Sequence, residues 1–100
     1  MKIDRSKEKE MIENRKVEVK ELLKRGPVTF RHFKGNYYEL LYIAKHTEEG
    51  YELAIYANPD IPDKIWARPL DMFLSYIEEK DVESYPEVEF RMTLMSKWIM

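Results

Sequence analysis

The chain reads as one mainly-β domain preceded by an amphipathic helix, and three observations lead there. Apolar spacing changes from helical to alternating at Gly26-Pro27. The three glycines, Gly26, Gly35 and Gly50, all fall where the pattern changes. The alternating segments are short, rich in Val, Ile, Tyr and Phe, and bounded by turn residues. One hundred residues suffice for one modest core and not for two. Residues 1–26 are therefore assigned to the helix, packed on or beside the β domain formed by residues 27–100.

From Ser6 to Arg25 the chain has no Gly or Pro, and Ile12, Val19, Leu22 and Leu23 recur at helical spacing. Asp4 or Ser6 is the expected cap, and Gly26-Pro27 the stop. Glu21 and Arg25 are spaced for a favourable pair. Arg15 and Lys16 interrupt the apolar stripe, so the helix should dock by its second half and fray at its start. Val28–Lys34 and Tyr37–His46 then alternate as strands around Gly35-Asn36, a dipeptide suited to a two-residue hairpin turn. Thr47-Glu48-Glu49-Gly50 suits a turn closed by a left-handed glycine before a third strand, Tyr51–Ala57. Asn58–Asp63 is a proline-rigid loop. A short strand Ile65–Arg68 stops at Pro69, one helical turn follows at Leu70–Phe73, and Leu74–Ile77 and Val88–Met92 read as further short strands. Residues 93–100 receive no element.

The net charge of −2 conceals an asymmetry. Residues 1–25 hold nine Lys and Arg against six Asp and Glu, and the remainder eight against thirteen. An acidic body argues against a phosphate-binding groove, and the mixed-sign segment reads as a solvated helix face. No apolar run reaches the ~20 residues of a membrane span, and Met1-Lys2-Ile3-Asp4 does not open a signal peptide. The absence of cysteine removes disulfides, thiolate metal sites and a cysteine nucleophile, and suits a reducing cytoplasm.

The two turns set a strand register, and directly opposed residues share a side of the sheet. A Gly35-Asn36 turn pairs His32 with Glu39, Phe30 with Leu41 and Val28 with Ile43. The Gly50 turn pairs His46 with Glu52, Ile43 with Ile55 and Leu41 with Ala57. One side then carries Val28, Phe30, Leu41, Ile43, Leu53 and Ile55, the expected core. The other carries Arg31, Phe33, Tyr38, Tyr42, His46 and Tyr56, with Leu40 and Ala54 among them. That aromatic side is either a partner-binding surface or the seat of the N-terminal helix, whose stripe needs somewhere to dock.

Phe30-Arg31-His32-Phe33-Lys34-Gly35, then Ala44-Lys45-His46-Thr47-Glu48, then Trp66-Ala67-Arg68-Pro69-Leu70-Asp71-Met72-Phe73 form a specific series. In this order and spacing they resemble the bacterial family called domain of unknown function 1653, over about residues 28–78. The resemblance implies a small SH3-like barrel of short antiparallel strands and no established activity. Members of that family usually continue the third strand with an arginine and a Leu-Tyr-Gly-like loop. Here the chain runs Ala57-Asn58-Pro59-Asp60, and the helical extension lies outside the resemblance.

Candidate chemistry is sparse. Two histidines without cysteine make a poor metal site, and cross-strand pairs of His32 with Glu39 and His46 with Glu52 explain them better. No nucleophile, phosphate cradle or carboxylate pair accompanies them, so no catalytic residue, metal or cofactor is assigned. Arg68 stands out among the charges. The following proline holds it extended on the same side of its strand as Trp66, where an aromatic ring beneath the guanidinium would leave its fork open to an anion; a structural salt bridge is the simpler use. The preferred reading is a non-enzymatic binding module recognising a peptide or protein through Arg31, Phe33, Tyr38, Tyr42, His46, Tyr56, Trp66 and Arg68. Three rivals stand beside it. They are nucleic-acid binding through Lys16, Lys20, Lys24 and Arg25, a small enzyme or ligand pocket using Arg31, His32 and Arg68, and self-association through the helix or a strand edge.

Overall fold

The computed structural model describes residues 3–95. Helix α1 spans Glu8–Leu23. Asp4 does not cap it: its carboxylate accepts the N–H of Ser6 at 3.0 Å, one turn too early, and Lys7 occupies the cap position without a side-chain bond. Glu8 and Glu10 in the first turn complement the helix dipole instead. At the other end Gly26 takes a φ of +130°, its N–H bonding Leu23 at 3.1 Å, and Pro27 prevents continuation. Glu21 accepts a bond from Lys24 at 3.1 Å.

The second half of α1 docks as expected, burying Val19 and Leu22 with Ile12 and Leu23 beside them. Its first half is not frayed. Arg15 donates to the carbonyls of Leu74 and Met92, each at 2.7 Å, and its guanidinium lies 4.1 Å over the Phe90 ring. Arg5 donates to the Ile77 carbonyl, and Glu8 accepts the N–H of Tyr76 at 3.1 Å. Of the two charges that break the apolar stripe, Arg15 anchors the segment after residue 73, and Lys16 pairs with Asp71 at 2.6 Å.

Five strands form one antiparallel sheet: β1 (Val28–His32), β2 (Tyr37–Lys45), β3 (Glu52–Ala57), β4 (Ile65–Pro69) and β5 (Met92–Leu94), in the order β4-β3-β2-β1-β5. Helix α2 is the single turn Leu70–Phe73. The sheet is open at β4 and β5, and no pairing among the described residues closes it into a barrel. Segments Leu74–Ile77 and Val88–Met92 are not full strands. They share one isolated bridge, Tyr76 with Phe90, and flank a 3-10 turn at Glu79–Asp81. Of residues 93–100, Thr93 and Leu94 complete β5, and 96–100 lie outside the described residues.

The β1–β2 register differs from the expected one. The N–H of His32 bonds Asn36 at 2.7 Å and that of Gly35 bonds His32 at 2.8 Å, so the loop is Phe33-Lys34-Gly35, three residues with Gly35 at φ +110°. Val28 therefore faces Leu40, and Phe30 faces Tyr38. An odd displacement turns every β2 side chain to the other side. The second loop has four residues, closed by the N–H of His46 on Tyr51 at 2.9 Å, and sets Ile43 opposite Ala54 and Tyr42 opposite Ile55. A bulge between Leu40 and Tyr42 then shifts the pairing, so that Leu40 meets Tyr56.

The inner side of the sheet thus carries Val28, Phe30, Leu40, Ala54 and Tyr56, packed against Val19 and Leu22 of α1 and Leu70 and Phe73 of α2. Leu53 and Ile55, expected in the core, alternate to the outer side and are half-buried there, with Tyr42 and Ile65 exposed. Helix and sheet share this one core. The helix lies on the inner side, and Tyr56 is buried beneath the same layer.

Candidate functional site

Register places one ring from each of three adjacent strands on the inner side of the sheet. Tyr38 on β2 and Tyr56 on β3 have centroids 5.6 Å apart; Trp66 on β4 lies 6.0 Å from Tyr56 and 5.9 Å from Tyr38. Phe73 supports them from below, 5.1 Å from Tyr56 and 5.0 Å from Phe30. The row continues to β1 through His32, 6.1 Å from Tyr38, and Phe33, 4.4 Å from His32. Most of these edge-to-face contacts are the favourable aromatic geometry. Tyr56 is buried, whereas Trp66 keeps 38% of its surface in solvent. The row is a rigid apolar platform with an open rim.

Arg68 stands at that rim. It follows Trp66 by two residues on the same side of β4 and pairs with Ala54. The Trp66 ring packs on the tyrosines rather than under the guanidinium. Among the described residues Arg68 has neither a hydrogen bond nor an ion pair, so the structural salt bridge is not formed. Glu78, a carboxylate within electrostatic reach of Arg68, is bonded by Arg91 at 3.0 Å, and that bond, with Lys80, holds Glu78 below the usual carboxylate range.

His32 senses the same charges. Burial pushes its pKa below the ordinary 6.5, and the cations Arg68, Lys34 and Arg91 push it further, against a weaker opposite pull from Asp81. Its Nδ1 accepts the backbone N–H of Lys34 at 3.1 Å, which leaves Nε2 to carry the proton of the neutral ring.

The residues expected to form one surface divide into separate groups. Tyr38, Tyr56, Trp66 and Arg68 come together, and Phe33 joins them through His32. Arg31 and Tyr42 lie on the outer side, Tyr42 with 69% of its surface exposed. His46 is remote, stacked at 4.8 Å on Tyr51, with its Nδ1 accepting the N–H groups of Glu48 and Glu49 in the turn. The expected His–Glu pairs are absent because the register moved: Glu39 faces Thr29, and Glu52 bonds Lys20 at 2.7 Å. Sequence reasoning missed Arg91 here, and it placed His32 only in the rival ligand pocket with Arg31 and Arg68. The histidine lies within the Arg31–Gly35 motif on the side of Val28 and Phe30, but the two-residue turn put Tyr38 on the opposite side from it.

Arg31 and His32 line a surface cleft of about 420 Å³ with Glu87, Val88 and Phe90, and Arg68 is not part of that lining. No group of three or more His, Asp or Glu among the described residues could hold a metal ion. No helix among them is long and apolar enough to cross a membrane.

Fold and site define a small mainly-β domain, an open five-stranded antiparallel sheet with a helix on its inner side and an aromatic platform beside an arginine that has no partner among the described residues. The family model described as "Protein of unknown function (DUF1653)" matches residues 28–91, and the chain belongs to that family. The match includes every residue of the platform and Arg68, and leaves α1 outside. No curated protein and no solved structure matches the chain.

Proposed function

We propose that this chain is a non-enzymatic binding module of SH3-like barrel type, acting in the cytoplasm, that recognises a peptide or protein on the Tyr38–Tyr56–Trp66 platform with Arg68. The observation that carries this reading is the half-exposed Trp66 ring, held rigid by two tyrosines, beside a guanidinium with no partner among the described residues. Tryptophan, tyrosine and arginine are the residue types that dominate interface anchors, because each offers large or multidentate contact at small entropic cost. The nucleic-acid reading draws less support. Lys16, Lys20 and Lys24 each sit within 4.0 Å of a carboxylate, which cancels the local field a phosphate backbone needs.

The test is selection of peptides from a displayed random library on the full chain, followed by affinity measurement on variants. Selected peptides should bind Trp66→Ala at least about ten-fold more weakly and bind Tyr42→Ala as they bind the parent. Equal binding by Trp66→Ala, or a loss on Tyr42→Ala instead, would move recognition to the outer side and overturn the assignment.

A further inference from the structure

We propose that two copies of this chain pair along the open edge of β4, antiparallel, about a two-fold axis through Ala67, so that their sheets become one. No peptide enters this pairing, and its success or failure is separate from that of the reading above.

The phase of the ladder shows which backbone groups are free. His46 donates its N–H to Tyr51, so along β3 the groups of Leu53 and Ile55 point to β2, and those of Ala54 and Tyr56 point to β4. Arg68 and Trp66, the partners of Ala54 and Tyr56, spend theirs on β3. Ile65, Ala67 and Pro69 therefore turn theirs to the edge, where Pro69 has no N–H to leave unpaired. Ile65, Trp66 and Ala67 are all exposed there.

The opposite edge of the sheet is capped. The N–H of Phe33 bonds Arg91 and that of Met95 bonds Thr29, so Met92 and Leu94 face outward from β5. Arg15 of α1 donates to the Met92 carbonyl at 2.7 Å. Among the described residues nothing bonds the outward groups of Ile65 and Ala67. The β4 register runs without a bulge, and Arg68 is the strand's one charge. An edge left this way is a template for another strand.

Charge selects a second copy and fixes the register. For the outward groups of two copies to meet, the axis must pass through a residue of β4. With the axis at Ala67, that alanine exchanges both bonds with its own copy. The Ile65 N–H then meets the Pro69 carbonyl, which keeps a lone pair beyond the one that opens α2. Trp66 stands opposite Arg68 of the second copy, at a position without backbone bonds, where opposed side chains come closest. A cation meets a ring twice across the axis. The Ile65 side chain, 59% exposed, is set opposite Pro69. An axis at Trp66 would oppose Arg68 to Lys64, and one at Arg68 would oppose that arginine to itself, like charges in both cases. Axes at Ile65 or Pro69 leave most of β4 unpaired. The strand is complementary to itself, as a two-fold interface requires.

The experiment is sedimentation velocity on the full chain from about 5 to about 500 µM. The mass should rise from monomer toward dimer with a midpoint of roughly 10–100 µM, the affinity of a small interface. Ala67 is exposed, so Ala67→Glu and Ala67→Lys should keep the parent's thermal midpoint. Each places like charges against each other on the axis and should weaken association about ten-fold or more, and mixing the two in equal amounts should restore it. As a second readout, Ala67→Cys in this cysteine-free chain should oxidise to a disulfide-linked dimer faster than Val17→Cys, an exposed site on α1. A parent that stays monomeric at the highest concentration overturns the proposal. So does a mixture of the two charged variants that associates no better than either alone, or equal oxidation rates for the two cysteine variants.

Discussion

Replacing Arg15 with methionine keeps the aliphatic stem of the side chain and deletes its guanidinium. The structure assigns that guanidinium two bonds of 2.7 Å, to the carbonyls of Leu74 and Met92, and a place 4.1 Å over Phe90. Burial lowers its pKa to about 10, which still leaves it charged at neutral pH. A hydrogen bond from a charged donor is worth roughly 1.5–3 kcal/mol net, and a cation over a ring about 0.5–2 kcal/mol. Against this stands the desolvation that the methionine no longer suffers, so the net loss should be about 3 kcal/mol. For a domain of this size 1 kcal/mol corresponds to roughly 4–8 °C, so the midpoint should fall by about 12–24 °C. Urea unfolding followed by far-ultraviolet circular dichroism, with thermal scans in parallel, measures both quantities. A loss below about 1 kcal/mol would mean that water replaces the guanidinium at both carbonyls. The claim that polar anchors, rather than apolar burial, hold the first half of α1 would then be refuted.

Three further outcomes follow from the same geometry. Gly35→Ala should cost about 1–2 kcal/mol, because φ +110° forces an L side chain into a disfavoured region even though the nearest atom, Arg31 Nη2, is 3.7 Å away; equal stability would mean the loop relaxes to another turn. Phe73→Ala should cost about 3–5 kcal/mol by removing the ring that supports both Phe30 and Tyr56, measured by urea unfolding. His32 should titrate below 6.5 by NMR, and Arg68→Gln should move it upward by removing a neighbouring cation. The sign for stability follows from which state holds more protons. With the folded pKa depressed, the unfolded chain protonates first, so the His32 contribution is intact above pH 6.5 and is lost as pH falls through the folded value. A His32 titration at or above 6.5 would contradict the placement of Arg68 and Arg91 around it.

Much of the architecture is legible in the residues themselves. The break at Gly26-Pro27, the docking of Val19 and Leu22, the four successive strands from Val28 to Pro69 and the single turn at Leu70–Phe73 all follow from period and punctuation. The faces of the sheet do not. Both a two-residue turn at Gly35-Asn36 and a three-residue loop ending at Gly35 satisfy local rules, since each places a glycine at positive φ. The choice between them inverts β2. The bulge near Leu41 inverts part of it again, and nothing in the alternation Tyr38 to Ala44 announces it.

The site was legible in type and not in membership. Trp66 with Arg68 followed from strand alternation and the proline after them. Tyr42, Arg31 and His46 were drawn in by a register displaced by an odd number of residues, and His32 entered only the rival pocket for the same reason. Arg15 looked like a flaw in an apolar stripe because a helical pattern counts only apolar neighbours. Its carbonyl partners lie 59 and 77 residues away in the chain.

The amino-acid order alone determined where helix and strands begin and end, because capping, proline geometry and apolar period act over a few residues. Only the tertiary structure decided which aromatic rings meet and which arginine has no partner among the described residues. Those outcomes depend on how Phe30, Leu40, Tyr56 and Phe73 fill one shared core, a constraint that no local segment contains.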